Sequence, residues 1–573
     1  MDSLKKSFRW LALVLALSLL PLSFAARAEK TEGIVRVLLT RLKLTDQLSL
    51  SLDGSYTLNG ISFQRGSDLL VSCKTGTLMV YYEGMALDAG KSLVFLRHAV
   101  KDGEENGIRF AGAYELHPGD LHLSIKDGQL RAVLHAPVEE YLLGVVPYEM
   151  SDSFPLEALK AQAIAARTYA LRKMGAGGDY DVVDNTNDQA YYGVKAENTN
   201  AEIAVRETAG VCGYYKGKMA ECFYSASNGG QTELVSHVWG SGDYGYLVMT
   251  DDPYDLENEE SVVKSYAFPK TMENAEGLGK LKEYLLSPLS EAMEARGYDG
   301  DLDNIRVTGI DSLALSIPLY NDSPSRIMTL LTFSLNVEGR KLLKQDEEED
   351  ISLFSVPITP SPNQPKETWG PMQALSFPVS VSLDIFPLAE QALDLSINGG
   401  SNEIMSVRET EDAFILESRR YGHGVGMSQR GAQCMARDYE WTYKQILRFY
   451  YPGMELRTLS YSFSLPKALS MDFLATPGPA ATPTPRPTAM PLSQTPAPGE
   501  FIVAVTNIGV NSYLNMRAEP NTQSSVLRQL YYGQELIVIK DLGEWLQVRM
   551  DDMTGYVMRS FVHAPGQTTP APN

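Results

Sequence analysis

From Gly33 to about Lys126 the chain runs in short stretches of alternating apolar and polar residues, GIVRVLLT, YTLNGISF, LMVYYEG, LVFLRHAV and LHLSIKDG, parted by Gly, Asp and Ser turns. That period of two predicts antiparallel sheet. The pattern changes in VVPYEMSDSFPLEALKAQAIAARTYAL, residues 145 to 171. Here Ser153 is the expected N-cap, Pro155 sits in the first turn, and a run of Ala, Leu, Lys, Gln and Arg follows, which predicts a helix. Ala at 158, 161, 163, 165, 166 and 170 leaves little bulk on any side, so this helix is expected to be buried. A second helix is predicted from Asn200 to Thr208, stopped by Gly210. A hairpin, VCGYYKGKMAEC, follows with its turn at Lys216-Gly217. Beyond residue 255 a helical stretch from Lys280 to Arg296 and strand-like runs such as NIRVTGIDSLAL and IMTLLTFSLNVEGR read as a βαββ-type continuation of the same domain. A further helix is expected to begin near Ser428. Residues 501–564 return to short alternating strands.

Composition divides this pattern into modules. Residues 475–500, which contain TPGPAATPTPRPTAMPLSQTPAPG, form a Pro/Thr-rich linker, extended and poor at packing. The acidic run QDEEED at 345–350 and the Pro-rich TPSPNQPKETWGP are expected to be solvated loop. Residues 1–28 have the make-up of a secretory signal peptide: Lys5, Lys6 and Arg9, then an apolar run from Trp10 to Leu20, then Ala26-Arg27-Ala28. Cleavage there starts the mature chain near Glu29. The alternative is an uncleaved membrane anchor, for which eleven apolar residues is short. Either way export is expected.

The formal net charge of −21 argues against non-specific nucleic-acid binding. Removing the four cations and one anion of residues 1–28 makes it −24, so attachment to an anionic polymer has to rest on local contacts. Four cysteines, Cys73, Cys212, Cys222 and Cys434, are too few for a disulfide scaffold. Cys212 and Cys222 bracket the hairpin, and a cross-strand disulfide and two buried thiols are both open.

Candidate chemistry gathers in three places. Glu149 stands just ahead of the Ala-rich helix, whose Lys160 and Arg167, seven residues apart, share a face and require partners if buried. Glu149 or a ligand is the expected partner. In ECFYSASNGGQTELVSHVWG, small hydroxyl residues beside Gly229-Gly230 make a tight turn presenting Ser225, Ser227 and Thr232, and Trp239 and Tyr244 or Tyr246 are of the type that stacks on sugar faces. In YGHGVGMSQRGAQ, four glycines frame His423, and Gln429 offers both donor and acceptor. The scattered His98, His117, His122 and His135 are expected to be surface or hydrogen-bonded histidines.

These three stretches resemble, in order, the signatures of the SpoIID/LytB family of bacterial cell-wall proteins. The first matches a Glu-Met-Pro start and an Ala-Leu-Lys-Ala-Gln-Ala-x-Ala-Ala-Arg-Thr helix, with Ser151 where the family usually has Pro. The second matches a Ser-x-Ser-x-Gly-Gly-x-Thr turn followed by Val238, Trp239, Gly240, Tyr246 and Leu247. The third matches Gly-His-Gly-x-Gly-Met-Ser-Gln-x-Gly-Ala without a break. Leu514, Asn515, Arg517 and Pro520, then Gly533 to Leu536, Trp545 to Val548 and Gly555 to Val557, resemble a bacterial SH3-like domain.

The resemblance implies an α+β fold: a β-rich SpoIID-type catalytic domain over 31–466 with a few helices, and a small SH3-like β-barrel over 501–564. It implies a peptidoglycan lytic transglycosylase that forms 1,6-anhydro-muramyl ends on glycan strands already stripped of peptides, with Glu149 as acid and base. Lys160, Arg167, Ser225, Ser227, Trp239, Tyr246, His423 and Gln429 would bind substrate. The alternative within the same resemblance is a non-catalytic enhancer of a cell-wall amidase, or a wall-binding protein. Some family members hold a metal with Cys and His near the second turn. Here Tyr224 stands at the His position, and Cys212, Cys222 and His237 lack tetrahedral spacing, so neither metal nor cofactor is expected. Cations at 160 and 167 beside Glu149 would weaken it as an acid, unless burial offsets them or they face substrate.

Overall fold

In the computed structural model the described residues run from 30 to 563, excepting 32, 75, 111–112, 176, 241, 243, 344–367, 468–495, 507–512, 532–533 and 551–552. Residues 1–28, expected to be a signal peptide, the acidic run 345–350 and most of the expected linker lie outside them.

The alternating N-terminal runs form two sheets. Gln47–Asp53 lies between Gly107–Phe110 and Ser67–Ser72, and Met79–Tyr82 and Met85–Asp88 extend that sheet to five strands. The second sheet has seven, ordered Val182–Val183, Ile34–Leu38, Gln129–Pro137, Asp120–Lys126, Ser92–His98, Ser55–Leu58 and Ile61–Phe63. Its pairings are antiparallel except Val182–Val183 on Ile34–Leu38. Leu48, Leu50 and Leu52 of one sheet and Val35, Val37, Leu121 and Leu123 of the other are buried in one core. This is what period-two patterning produces when one face of each strand packs inward.

Three helices follow the second sheet: Val138–Leu143, Val146–Glu149 and Leu156–Lys173. The last is buried almost all round, as its alanines predict. Its start differs from the expectation. Ser153 caps nothing; its hydroxyl meets that of Ser151 at 2.9 Å, and Phe154 N–H closes a separate turn on the Ser151 carbonyl at 2.9 Å. Pro155 becomes the boundary residue, and its carbonyl accepts from the Ala158 and Leu159 N–H groups. The second helix, Thr199–Glu207, takes its cap from elsewhere in the chain: Asp152 Oδ1 accepts from the Ala201 N–H at 2.7 Å.

The hairpin turns where expected, with Lys216 and Gly217 both left-handed at φ +48° and +79°. Its ladder pairs Tyr214 with Met219 and ends there, so Cys222 lies beyond it, 3.6 Å from the Met454 sulfur. Cys212 pairs across to Arg457 on the strand Glu455–Thr458. All four cysteines are buried free thiols, and no disulfide joins Cys212 to Cys222.

Residues 263–419 do not continue the first core. They build their own, from Phe268, Leu285, Leu289, Phe333, Val381 and Leu416. The long hairpin Ile305–Pro318 and Met328–Leu343 carries Thr368–Ala374 and Val379–Asp384 on its second strand, with the helix Lys282–Glu294 packed nearby. A three-stranded sheet of Val263–Pro269, Ala413–Arg419 and Ile404–Glu409 completes it. Alternation identified the two strands of the long hairpin but not the shorter strands around them, and it carries no information on which core they face. The chain then returns to the first core through helices Gln429–Asp438 and Tyr443–Tyr450, and Ser460–Tyr461 pairs in parallel with Lys30–Thr31.

Between 501 and 563 seven strands follow one another in the order Val526–Tyr531, Tyr513–Arg517, Met553–Met558, Trp545–Met550, Glu535–Asp541, Phe501–Val505 and Val562–His563. They enclose a third core of Val503, Leu536, Val538, Val548 and Val557. No helix among the described residues is long and apolar enough to cross a membrane.

Candidate active site

Glu149 ends the short helix Val146–Glu149, which has Pro147 in its first turn. Its Oε1 accepts from the Ala190 N–H at 2.8 Å. The Gln429 and Tyr224 side chains are its other polar neighbours. Burial raises its pKa above the ordinary carboxylate value, and the Ala190 N–H, Gln429 and Tyr224, which favour the ionised form, only partly oppose that shift. The result is a carboxyl that keeps its proton to higher pH than a free glutamic acid.

Each neighbour is itself held. Tyr224–Ser225 pairs in parallel with Met427–Ser428, a two-residue contact that joins the second and third glycine-rich stretches. Gln189 ties the tyrosine back to the helices: Nε2 donates to the Tyr224 hydroxyl at 3.0 Å and to the Ala166 carbonyl at 3.2 Å, and Oε1 accepts from Tyr141 at 3.1 Å. Gln429 is the first residue of the helix Gln429–Asp438, capped by the Ser428 hydroxyl, which accepts from the Gly431 N–H. The Gln429 amide reaches Gln162 Oε1 of the long helix at 3.5 Å.

An aromatic cluster is joined to this carboxyl through Tyr224, which Phe223 precedes. Trp239, 48% exposed, leans over Phe223 with centroids 4.8 Å apart and over His423 at 5.1 Å. His423 Nδ1 accepts from the Val425 N–H at 3.0 Å, and the ring also bonds the Tyr224 carbonyl, which assigns its proton to Nε2. Burial and the nearby Arg420 push its pKa down to about 4, so it is neutral at pH 7 and holds the loop in shape. Gly426 is required there: with φ +73°, a Cβ would fall 2.1 Å from the Phe223 carbonyl oxygen.

Several residues expected at the site are elsewhere. Arg167, fully buried, pairs with Glu139 and not with Glu149. Lys160 pairs at 2.7 Å with both Glu157 and Glu207. Both cations are neutralised away from Glu149, which removes the anticipated weakening of the acid. Ser227 is 1% exposed and donates to Asp255 Oδ2 at 2.8 Å, while Ser428 donates to Oδ1 at 2.7 Å. Thr232 is spent on the Val248 carbonyl. Tyr246 is buried, its hydroxyl accepting from the Glu221 N–H at 2.5 Å. Ser225 accepts from the Gly424 N–H at 3.3 Å and shapes the loop around His423. The second signature is therefore mostly a buried knot around Asp252, Asp255 and Arg420, and Arg420 is locked to Glu233 at 3.0 Å. Cys212 and Cys222 lie in the core, whereas His237 bonds Glu233 at 2.6 Å and stacks on Tyr320 at 3.6 Å.

Comparison with known proteins bears on the same residues. Residues 126–215 match the SpoIID family model, described as a stage II sporulation protein, and 512–563 match a bacterial SH3 domain. Over 317 residues the chain is 31% identical to an amidase enhancer of Bacillus subtilis (strain 168), an alignment covering 55% of this chain and 40% of that protein. The chain thus spans less than half of that relative's length. It is 25% identical over 432 residues to an uncharacterized protein of Brachyspira hyodysenteriae, covering 74% of this chain and 93% of the other. To the stage II sporulation protein D of Bacillus subtilis it is 25% identical over 362 residues, covering 60% and 81%.

Proposed function

We propose that this chain, which carries a SpoIID-family domain followed by a bacterial SH3 domain, is an exported peptidoglycan lytic transglycosylase with Glu149 as its acid and base. The observation that carries this reading is the setting of Glu149: a carboxyl whose pKa is raised by burial, held by the Ala190 N–H, with the Tyr224 phenol and the Gln429 amide as its polar neighbours.

A lone carboxyl of this kind suits one reaction well. In its acid form Glu149 protonates the glycosidic oxygen as the bond from the muramyl anomeric carbon breaks. The resulting carboxylate then removes the proton from the C6 hydroxyl, whose oxygen bonds to the anomeric carbon. The products are a free sugar hydroxyl and a 1,6-anhydro end, and no water is consumed. A second carboxylate, needed by hydrolases as nucleophile or base, has no part in this sequence. Trp239 and Phe223 supply an apolar face for a pyranose ring, and peptide-free strands are the expected substrate. The SH3 domain is assigned to holding the enzyme on the wall.

The name of the amidase enhancer relative supports a second reading, a non-catalytic stimulator of a wall amidase. One experiment separates the two. Purified protein incubated with peptide-free glycan strands should yield 1,6-anhydro-muramyl ends detectable by mass spectrometry, and Glu149→Gln should slow their formation by roughly two to four orders of magnitude, the usual worth of a general acid. No anhydro ends from wild type, together with acceleration of an added amidase, would decide for the enhancer.

A further inference from the structure

Arg41, linked to the Glu149 helix through two stacked rings, has no ion-pair partner among the described residues. The Arg41 guanidinium lies flat on the ring of Tyr192, 3.3 Å from its centroid, and Tyr192 in turn stacks on Tyr148 at 4.5 Å with planes 13° apart. Tyr148 precedes Glu149 in the same short helix, and Tyr192 lies two residues beyond Ala190, whose N–H holds the Glu149 carboxylate. Tyr192 is anchored by its own N–H on the Gly144 carbonyl at 3.0 Å. At the other end, Asp184 Oδ2 accepts from the Arg41 backbone N–H at 3.1 Å, so the arginine is fixed at its main chain and at its head.

The neighbouring cations differ from it. Arg36 pairs with Asp181, Arg97 with Glu140, Arg131 with Asp179, and Lys195, which lies over Tyr148, with Glu115. Among the described residues no carboxylate lies within ion-pair distance of the Arg41 guanidinium. Its face is taken by Tyr192 and its N–H edge is open, in a chain whose net charge is −21. An arginine held by its face keeps the planar fork free for two parallel bonds to a carboxylate.

We infer that Arg41, laid on Tyr192, recognises a free carboxylate on the glycan beside the bond cut at Glu149, namely the lactyl group of a muramyl residue that carries no peptide. This rests on the glycan-cleaving reading above. Joining a peptide to that lactyl group turns the carboxylate into an amide, removing its charge and one acceptor oxygen. The fork then loses its partner, and selectivity for peptide-free strands follows from one side chain.

The test is made by binding, in the full-length Glu149→Gln protein, so that it does not depend on turnover. Two tetrasaccharides are compared: one alternating N-acetylglucosamine with N-acetylmuramic acid bearing free lactyl groups, and chitotetraose, which has no carboxylate. Adding Arg41→Gln should weaken the muramyl ligand about tenfold and change chitotetraose by less than about twofold, the scale of losing one charge-assisted hydrogen-bonded contact near the surface. Arg41→Lys, with charge but no fork, should recover only part of the loss. Equal weakening of both ligands, or none, would overturn the inference while leaving the glycan reading intact. Failure of the parent protein to bind either tetrasaccharide would overturn both.

Discussion

Arg167 donates from Nε and Nη2 to the two carboxylate oxygens of Glu139, at 2.8 and 2.6 Å. The same guanidinium reaches the carbonyls of Val205 and Val211, each at 3.2 Å, and Glu139 Oε1 also accepts from the Gly210 N–H at 3.0 Å. The pair therefore ties the long helix to the helix Val138–Leu143 and to the end of Thr199–Glu207. Arg167→Ala leaves those acceptors unpaired and should cost about 3–5 kcal/mol of stability, the range for breaking a buried pair from one side. Glu149→Gln should melt at or slightly above the wild-type temperature, because a carboxyl with a raised pKa is destabilising once ionised. Thermal melts followed by circular dichroism check both. An Arg167→Ala protein that melts like wild type yet fails to bind glycan would return that arginine to the substrate.

Trp239 and Tyr246 were candidates for one task and should now separate. Trp239→Ala removes a half-exposed ring and should cost about 1 kcal/mol of stability through its contacts with Phe223 and His423, while weakening oligosaccharide binding by roughly one order of magnitude. Tyr246→Phe deletes a buried acceptor of the Glu221 N–H and should cost about 1–2 kcal/mol with little change in affinity. Calorimetric titration beside urea unfolding reads the two effects, and the reverse pattern would exchange their roles.

The elements of this protein were legible where the evidence for them is local. Alternation located the N-terminal strands, and the alanine run located the buried helix 156–173, because both signals lie within a few turns of chain. Partners were not legible. Arg167 meets Glu139 from 28 residues away, and Ser227 meets Asp255 across the same separation, so a motif that looks like a display of hydroxyls is a buried knot. Glu149 and Gln429, expected in one cleft, are brought together through Tyr224–Ser225 and Met427–Ser428. The neighbours missed were the Ala190 N–H, Gln162, Gln189 and Phe223, together with the role of Tyr224. A backbone donor leaves no trace in a sequence, and Tyr224 drew notice only for not being a histidine.

Deleting everything after Thr476 should leave turnover of soluble glycan within about twofold and weaken sedimentation with insoluble wall. The core of Val503, Leu536, Val538 and Val548 is separate from the core holding the Glu149 region, so its loss removes no residue from that core. Equal losses in both assays would mean that the C-terminal domain takes part at the glutamate.

The last prediction concerns pH and the loop behind His423. Glu403 is fully buried and accepts N–H bonds from Ile397 and Asn398 at 3.0 and 2.8 Å. It thereby shapes a loop from which Asn398 Oδ1 accepts from the Gly422 N–H at 2.8 Å and Asn402 donates to the Gly422 carbonyl at 3.0 Å. Glu390 faces this carboxylate, and burial with the negative charge of Glu403 pushes its pKa up to about 7, against the opposing effects of Ser396 and Lys264. Between about pH 4.5 and 7 the folded protein thus holds a proton that the unfolded chain has released. Stability must fall as pH rises through that window and level off above it. Glu390→Gln carries a permanent neutral donor toward Glu403 and should abolish the fall. At pH 8 it should be the more stable protein by about 1–2 kcal/mol, and at pH 4.5 the two should coincide. Urea midpoints measured across the range give the answer, and parallel pH profiles for the two proteins would show that Glu390 does not carry that proton.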